Sequence, residues 1–425
     1  KWLSLGKLRV GYGILGNNRI DVLSRYTYLT FGYNYPYGLG NHTLQNGATA
    51  MVLGNDDIKW ERSESFNIAA DFGMFDNRLT FTIEYFNRKT SDMLLRVPTV
   101  SSAGLDAAPM TNAGAVRNYG WEYDVKWRDN IGKDWRYEVG FNLSWIKNKV
   151  VSLGTGNEPI YGSYLSESSI ADYVTKTAVG QPIGSFYGYV TDGIFNTYDE
   201  VKASAQYDAG KNYWEQSTLP GDFRFKDLNN DGRITAEDRT YLGSPLPDFV
   251  FGIPMSVGYK NFDLSIFFQG QTGNKIFNVM DYYLYNASNG NVYADIREKH
   301  WSGQLASGRE FFPLNLNASV PDLRNNDEAR NFRASDFFIQ DGSYLRLKEL
   351  RLTYTFPKSI LNKLKLSNLA LSLTAYNLLT FTGYDGFDPE VGKVIGTESD
   401  NLSMGVDQGN YPQARSFTFG IKLGI

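Results

Sequence analysis

The sequence contains no cysteine, which excludes disulfide frameworks, thiolate metal sites and cysteine nucleophiles together. It has only two histidines, His42 and His300, far apart and each among polar, loop-like residues. That argues against a histidine triad or a zinc cage. An excess of charge of one sign is also missing. Lys and Arg number 42 against 46 Asp and Glu, and the net of −4 gives no electrostatic ground for a nucleic-acid partner. No stretch approaches the ~18 consecutive apolar residues of a transmembrane helix. Helical membrane proteins are thereby excluded, but a transmembrane β-barrel is not, because its strands alternate between apolar and polar residues. The chain opens on Lys1-Trp2-Leu3, with neither an initiator methionine nor a signal pattern. The expectation is a removed leader or a start inside a longer protein.

The residues present point to strands. Tyr, Phe and Trp make up 15% of the chain, and its 42 glycines are about a tenth of it, against a usual ~7%. Clean period-two segments recur. Phe66, Ile68, Ala70, Phe72 and Met74 alternate with small or polar residues, as do Leu79, Phe81, Ile83 and Tyr85. Trp121, Tyr123, Val125 and Trp127 oppose Glu122, Asp124, Lys126 and Arg128, and 135–145 repeats the pattern. Further strands read at 7–14, 249–259, 262–270, 345–356, 369–376 and 416–425, ten in all.

A soluble sandwich would also alternate. Three features favour a membrane barrel: fully charged polar rows, apolar rows that begin or end on aromatics, and the lengths of the connections. Short links at 74–78, 128–135, 259–262 and 356–369 alternate with long ones at about 15–64, 86–119, 146–248, 271–344 and 377–415. The reading is an all-β, antiparallel transmembrane β-barrel with short periplasmic turns and long extracellular loops. Its apolar rows are expected to face outward.

One local motif carries chemistry. Asp227-Leu228-Asn229-Asn230-Asp231-Gly232-Arg233, with Asp238 at position twelve, places oxygen ligands at loop positions 1, 3 and 5. It adds a glycine at 6 for the turn and a backbone carbonyl at 7, the spacing of an EF-hand. Aspartate at twelve, in place of glutamate, resembles the dockerin variant. The expectation is a structural Ca2+ held by Asp227, Asn229, Asp231, the Arg233 carbonyl and Asp238, bracing the 146–248 region. An ion-free Asx-rich turn is the simpler alternative.

Asp385, Asp388 and Glu390 suggest a glycosidase carboxylate pair, but solvated loop carboxylates are far commoner. Loop aromatics are candidates to stack on substrate. Tyr26, Tyr28, Tyr33, Tyr35 and Tyr37 form one group, and Tyr282, Tyr283, Tyr285, Trp301 and Tyr384 are the candidate substrate contacts. The alternative is that they pack the loops together. No catalytic constellation emerges, and no enzyme is expected.

Several segments, in order along nearly the whole chain, resemble SusC/RagA-type TonB-dependent transporters. They are Leu8-Arg9-Val10-Gly11-Tyr12-Gly13, Asn55-Asp56-Asp57-Ile58-Lys59-Trp60-Glu61-Arg62 and Asn118-Tyr119-Gly120-Trp121-Glu122. Pro182-Ile183-Gly184-Ser185-Phe186-Tyr187-Gly188, Pro220-Gly221-Asp222, Gly243-Ser244-Pro245, Ser343-Tyr344-Leu345-Arg346-Leu347-Lys348 and Tyr384 to Glu390 continue the series. The resemblance implies the C-terminal part of such a transporter, about ten strands of a 22-stranded barrel, with the plug domain and first strands outside this sequence. The strands at 7–14 and 416–425 would then border other strands and not each other. The family usually ends on an aromatic, whereas this chain ends on Ile425.

What the resemblance implies is active import of oligomeric nutrients, glycans or peptides, across the outer membrane. Energy would come through TonB, and a SusD-like lipoprotein would be the partner. The alternatives are a passive porin-like channel and a secreted, calcium-stabilised β adhesin.

Overall fold

The computed structural model describes residues 2–18, 22–38, 43–96, 109–154, 156–165, 172–286, 290–303, 314–323, 327–392 and 402–425. His42 lies outside them. Ten long strands make one sheet. They are β1 (Leu3–Asn17), β2 (Glu61–Met74), β3 (Leu79–Arg96), β4 (Met110–Ile131), β5 (Trp135–Leu153), β6 (Phe249–Tyr259), β7 (Phe262–Thr272), β8 (Tyr344–Thr355), β9 (Asn368–Thr382) and β10 (Ser416–Gly424). Their order in the sheet is their order in the chain, an up-and-down meander that runs from β1 to β10. All ten were legible as alternating segments, and most run several residues further than the alternation showed. β5 continues to Leu153, so the long excursion expected from 146 begins at 154.

The chain divides into two compact units. One is Lys1–Asp124 with Ser144–Ile160 and Thr177–Ile183, the other Val125–Leu143 with Tyr161–Lys176 and Gly184–Ile425.

In the first unit the pairing register keeps the two rows of side chains apart. Val10 stands opposite Ile68, and Ile68 opposite Tyr85; Leu8 meets Ala70, and Ala70 meets Ile83. The opposite face carries a polar ladder. Arg9 Nε donates to Asp71 Oδ2 at 2.8 Å, Thr82 Oγ1 to Asp71 Oδ1 at 3.0 Å, and Asn67 Nδ2 to Glu84 Oε1 at 2.7 Å. Leu8 is 70% exposed and Val10 64%, although they form a continuous apolar row. A water-facing sheet does not build its longest apolar rows outward, whereas a lipid-facing one does.

The second unit repeats the logic. Val257, Leu264, Leu352, Leu373 and Phe419 stand in register across β6 to β10. Leu373 is 55% exposed. At the short-turn end, aromatic rings cluster: Trp135 with Tyr259 at 4.4 Å, Phe262 with Tyr354 at 4.7 Å, and Tyr354 with Phe356 at 5.0 Å. Such girdles mark a membrane–water boundary. The β4 row fits as well, since Trp121 is exposed and stacks on Tyr123 instead of packing beneath a second sheet.

The short links fold as their residues require, with one exception. Phe75, Asp76 and Asn77 take φ of 53°, 58° and 63°, and Asp and Asn tolerate this left-handed region better than most residues. The link after β8 is no tight turn. It holds a helix, Lys358–Leu364, closed by Lys365 in the left-handed conformation.

The long links carry the hydrophobic core. Four short strands, Ile160–Leu165, Asp172–Thr177, Ser185–Gly188 and Thr240–Gly243, form one small sheet. Lys275–Asn278 pairs with Ile339–Asp341 and Val406–Asp407 in another. Phe186, Phe277, Val279, Phe338 and Val406 are almost wholly buried among them. A single-layer wall between lipid and lumen offers no dry interior. The fully buried side chains therefore gather in the loops.

Candidate functional site

The Asp227–Asp238 loop is built by its own acidic side chains. Asp227 Oδ2 accepts from the Gly232 N–H at 2.8 Å, Asn229 Oδ1 from the Asp231 N–H at 3.0 Å, and Asp231 Oδ1 from the Arg233 N–H at 2.8 Å. Gly232 takes φ +81°, the turn expected of position six. Asp238 points inward and is fully buried. Its Oδ2 accepts from Thr235 N–H at 2.7 Å and its Oδ1 from Leu228 N–H at 2.8 Å, which caps the turn Ala236–Asp238. Among the described residues no three His, Asp or Glu side chains gather as a metal cage. The five expected ligands thus share one loop, but Asp238 is committed to the loop's backbone.

The structure buries most of the candidate substrate contacts. Tyr282 and Tyr285 are 2% and 9% exposed inside the main loop core, and Tyr283 is half-buried beside them. Trp301 lies in a second cluster with Ile194, Phe223 and Phe225, its Nε1 donating to Asn196 Oδ1 at 2.9 Å. The Tyr384 hydroxyl donates to Asp407 Oδ2 at 2.6 Å. In this arrangement the five rings pack loop against loop. By contrast Tyr28, Tyr33, Tyr35 and Tyr37 lie on an exposed hairpin, Tyr28–Tyr37 paired with Thr43–Val52. Tyr26, just before it, is exposed too.

The carboxylates that suggested a glycosidase form an ion-pair anchor. Arg346, on β8 and 2% exposed, donates from Nη2 to Asp388 Oδ1 and from Nη1 to Glu390 Oε2, both at 2.6 Å. Lys348 Nζ and the Tyr344 hydroxyl complete the set on Glu390 at 2.8 and 2.7 Å. Burial alone would raise the Asp388 carboxyl. The bonds from Arg346 and from the Gln413 and Glu390 N–H groups outweigh that and hold it below the ordinary aspartate value. Neither carboxylate is left to act as a free acid or base. Asp281, buried nearby in sequence space to the Tyr282 core, is pushed up to about 6 by burial, with Asp385 adding repulsion against the hydrogen bonds of Gln340 and Tyr293. Sequence reasoning gave Arg346 no role, because its partners lie some 42 to 44 residues away and carry no local signal.

Comparison with known proteins agrees with this architecture. The family described as "TonB dependent receptor-like, beta-barrel" matches residues 25–270. TonB-dependent receptor P3 of Formosa agariphila is 32% identical over 98% of this chain and 39% of its own length. TonB-dependent receptor SusC of Bacteroides thetaiotaomicron is 27% identical over 98% of this chain and 37% of its own. The chain therefore spans about two fifths of the relatives it matches. A solved structure described as "Structure of the RagAB peptide transporter" covers all of this chain with 41% of its own, at 24% identity and a TM-score of 0.71, and shows the same fold. The outward apolar rows face outer-membrane lipid. The chain belongs to the TonB-dependent receptor β-barrel family.

Proposed function

We propose that this chain forms barrel wall and extracellular loops of an importer of oligomeric nutrients, glycans or peptides. In this reading TonB supplies the energy and a SusD-like lipoprotein covers the extracellular mouth. The observation that carries the reading is a lipid-facing wall of ten strands bearing a large, internally packed mass of loops. A simple pore has no need of such loops, whereas a binding surface for an oligomer and a partner does. Similarity to proteins named TonB-dependent receptors supports it. The test is uptake of a labelled oligomer by cells carrying the full-length protein, with and without TonB. Uptake should be lost without TonB, and persistent uptake would establish a passive channel instead.

The same reading includes a structural calcium ion in the 227–238 loop. Asp227, Asn229, Asp231 and the Arg233 carbonyl supply hard oxygens, each carboxylate oxygen keeping acceptor capacity beyond the N–H it already takes. Asp238 would join only by giving up its cap. Calcium addition should slow amide hydrogen exchange across 227–238, and Asp231→Asn should abolish that response. Exchange indifferent to calcium and chelator would remove the ion from the account.

A further inference from the structure

Beside the acidic loop, the extracellular loops enclose a cleft of about 1180 Å³, room for an oligomer of several units. Residues 232–236 form one wall. Three acids, Asp172, Asp208 and Glu328, and four arginines line it: Arg233, Arg239, Arg330 and Arg333. Two are fixed by stacking. The Arg333 guanidinium lies 4.4 Å from the Phe225 ring centroid and 5.1 Å from that of Tyr189. The Arg239 guanidinium lies 4.7 Å from the ring centroid of Tyr187 and 5.9 Å from that of Tyr189. The Arg239 side chain is only 8% exposed, and its Nε has no hydrogen-bond partner.

The turn bearing Arg330 and Arg333 is knitted to itself. Asp327 accepts from the Asn331 and Phe332 N–H groups at 2.7 and 3.2 Å. Arg333 donates to the Ala329 and Arg330 carbonyls at 2.6 and 2.9 Å. Arg330 is held at φ +55°, a costly conformation for an arginine, with its exposed side chain on the cleft. Among the described residues neither Arg330 nor Arg333 has a carboxylate within ion-pair distance. Asp172, the acid beside Arg239, is already paired with it at 2.9 Å. Arg333, half-buried, is attracted by Asp327 of its own turn without pairing with it and is repelled by Arg330, so an entering anion would stabilise both guanidinium groups.

We propose that this cleft binds the acidic group, carboxylate or sulfate, of an anionic oligosaccharide. The remaining lining favours a sugar over a peptide. Ser217, Thr218 and Thr235 place hydroxyl groups on the lining, Tyr189 and Tyr207 add aromatic rings, and Ile234 is the one large aliphatic side chain on the cleft wall. Treating this ligand as cargo rests on the import function proposed above; the binding itself does not.

The experiment is isothermal titration of the purified full-length protein with oligogalacturonate, a sulfated oligosaccharide, a neutral oligosaccharide of equal length and oligoglutamate. The acidic sugars should bind about tenfold or more tightly than the neutral one, as expected for charge-assisted hydrogen bonds. Binding should weaken with salt. Arg330→Ala should lose that preference, and Arg330→Lys should restore part of it, while amide exchange across 227–238 and 327–338 equal to that of the wild type reports that the surrounding loops remain folded. Carboxylate and sulfate sources are separated by the first two titrants. Equal binding of neutral and acidic sugars, an unaltered Arg330→Ala variant, or preference for oligoglutamate would each overturn the proposal. Failure of TonB-dependent uptake with acidic binding intact would instead count against import alone.

Discussion

Replacing Arg346 with methionine is expected to destabilise the loop anchored by Asp388 and Glu390 by about 3–5 kcal/mol, the usual cost of removing one partner of a buried ion pair. The side chain is 2% exposed and each of its terminal nitrogens meets a carboxylate, so the loss is not one that water can replace. Glu390 would retain Lys348 and the Tyr344 hydroxyl, and Asp388 would retain the Gln413 and Glu390 N–H groups. The damage should therefore fall first on Asp388.

Its pH dependence follows from the direction of the shift. Asp388 is held below its unfolded value of about 3.8, so its contribution is present above that value and lost as pH falls through the lower folded one. Without Arg346 burial dominates, the Asp388 value rises, and the loop should loosen at a higher pH than in the wild type. Hydrogen exchange over 383–392 between pH 3 and 7 measures both effects. Arg346→Lys should fall between, because a single ammonium cannot reproduce the fork that spans two carboxylates. Wild-type protection in the methionine variant would show that the network carries no load.

Placing a charge on the outward row is the second large effect. Leu373→Arg, flanked in register by Leu352 and Phe419, should cost about 2–4 kcal/mol, the penalty for arginine near the bilayer midplane on a lipid-facing strand. Thr418→Arg adds the same charge one residue from Phe419 but on the polar row, opposite Thr374, and should cost far less. Urea titration of the protein refolded into lipid vesicles, read by heat-modifiable electrophoretic mobility, distinguishes the two. Equal tolerance at both positions would mean that Leu373 meets water, and the lipid-facing assignment would fail.

The wall of this protein was legible in its sequence because its determinants are local. Alternation at period two sets which face a residue joins, and antiparallel register simply propagates it, so Val10, Ile68 and Tyr85 fall in line once each strand is recognised. The short turn at Asp76-Asn77 likewise follows from residues that tolerate positive φ. The acidic loop was legible for the same reason, since its hydrogen bonds span only two to ten residues.

The loops were not. Tyr282, Tyr285, Trp301 and Tyr384 have the chemistry of exposed stacking platforms, and nothing within a few residues of them says that Phe186, Phe277, Phe332 or Asp407 will close over them. Asp388 and Glu390 become anchors only because Arg346 arrives from another strand. The arginine cleft likewise draws on segments near 172, 206, 233 and 330. Sequence by itself determined which face of each strand meets lipid. Tertiary structure alone decided which loop side chains are buried, paired or presented, because those fates depend on contacts whose partners lie tens to hundreds of residues away.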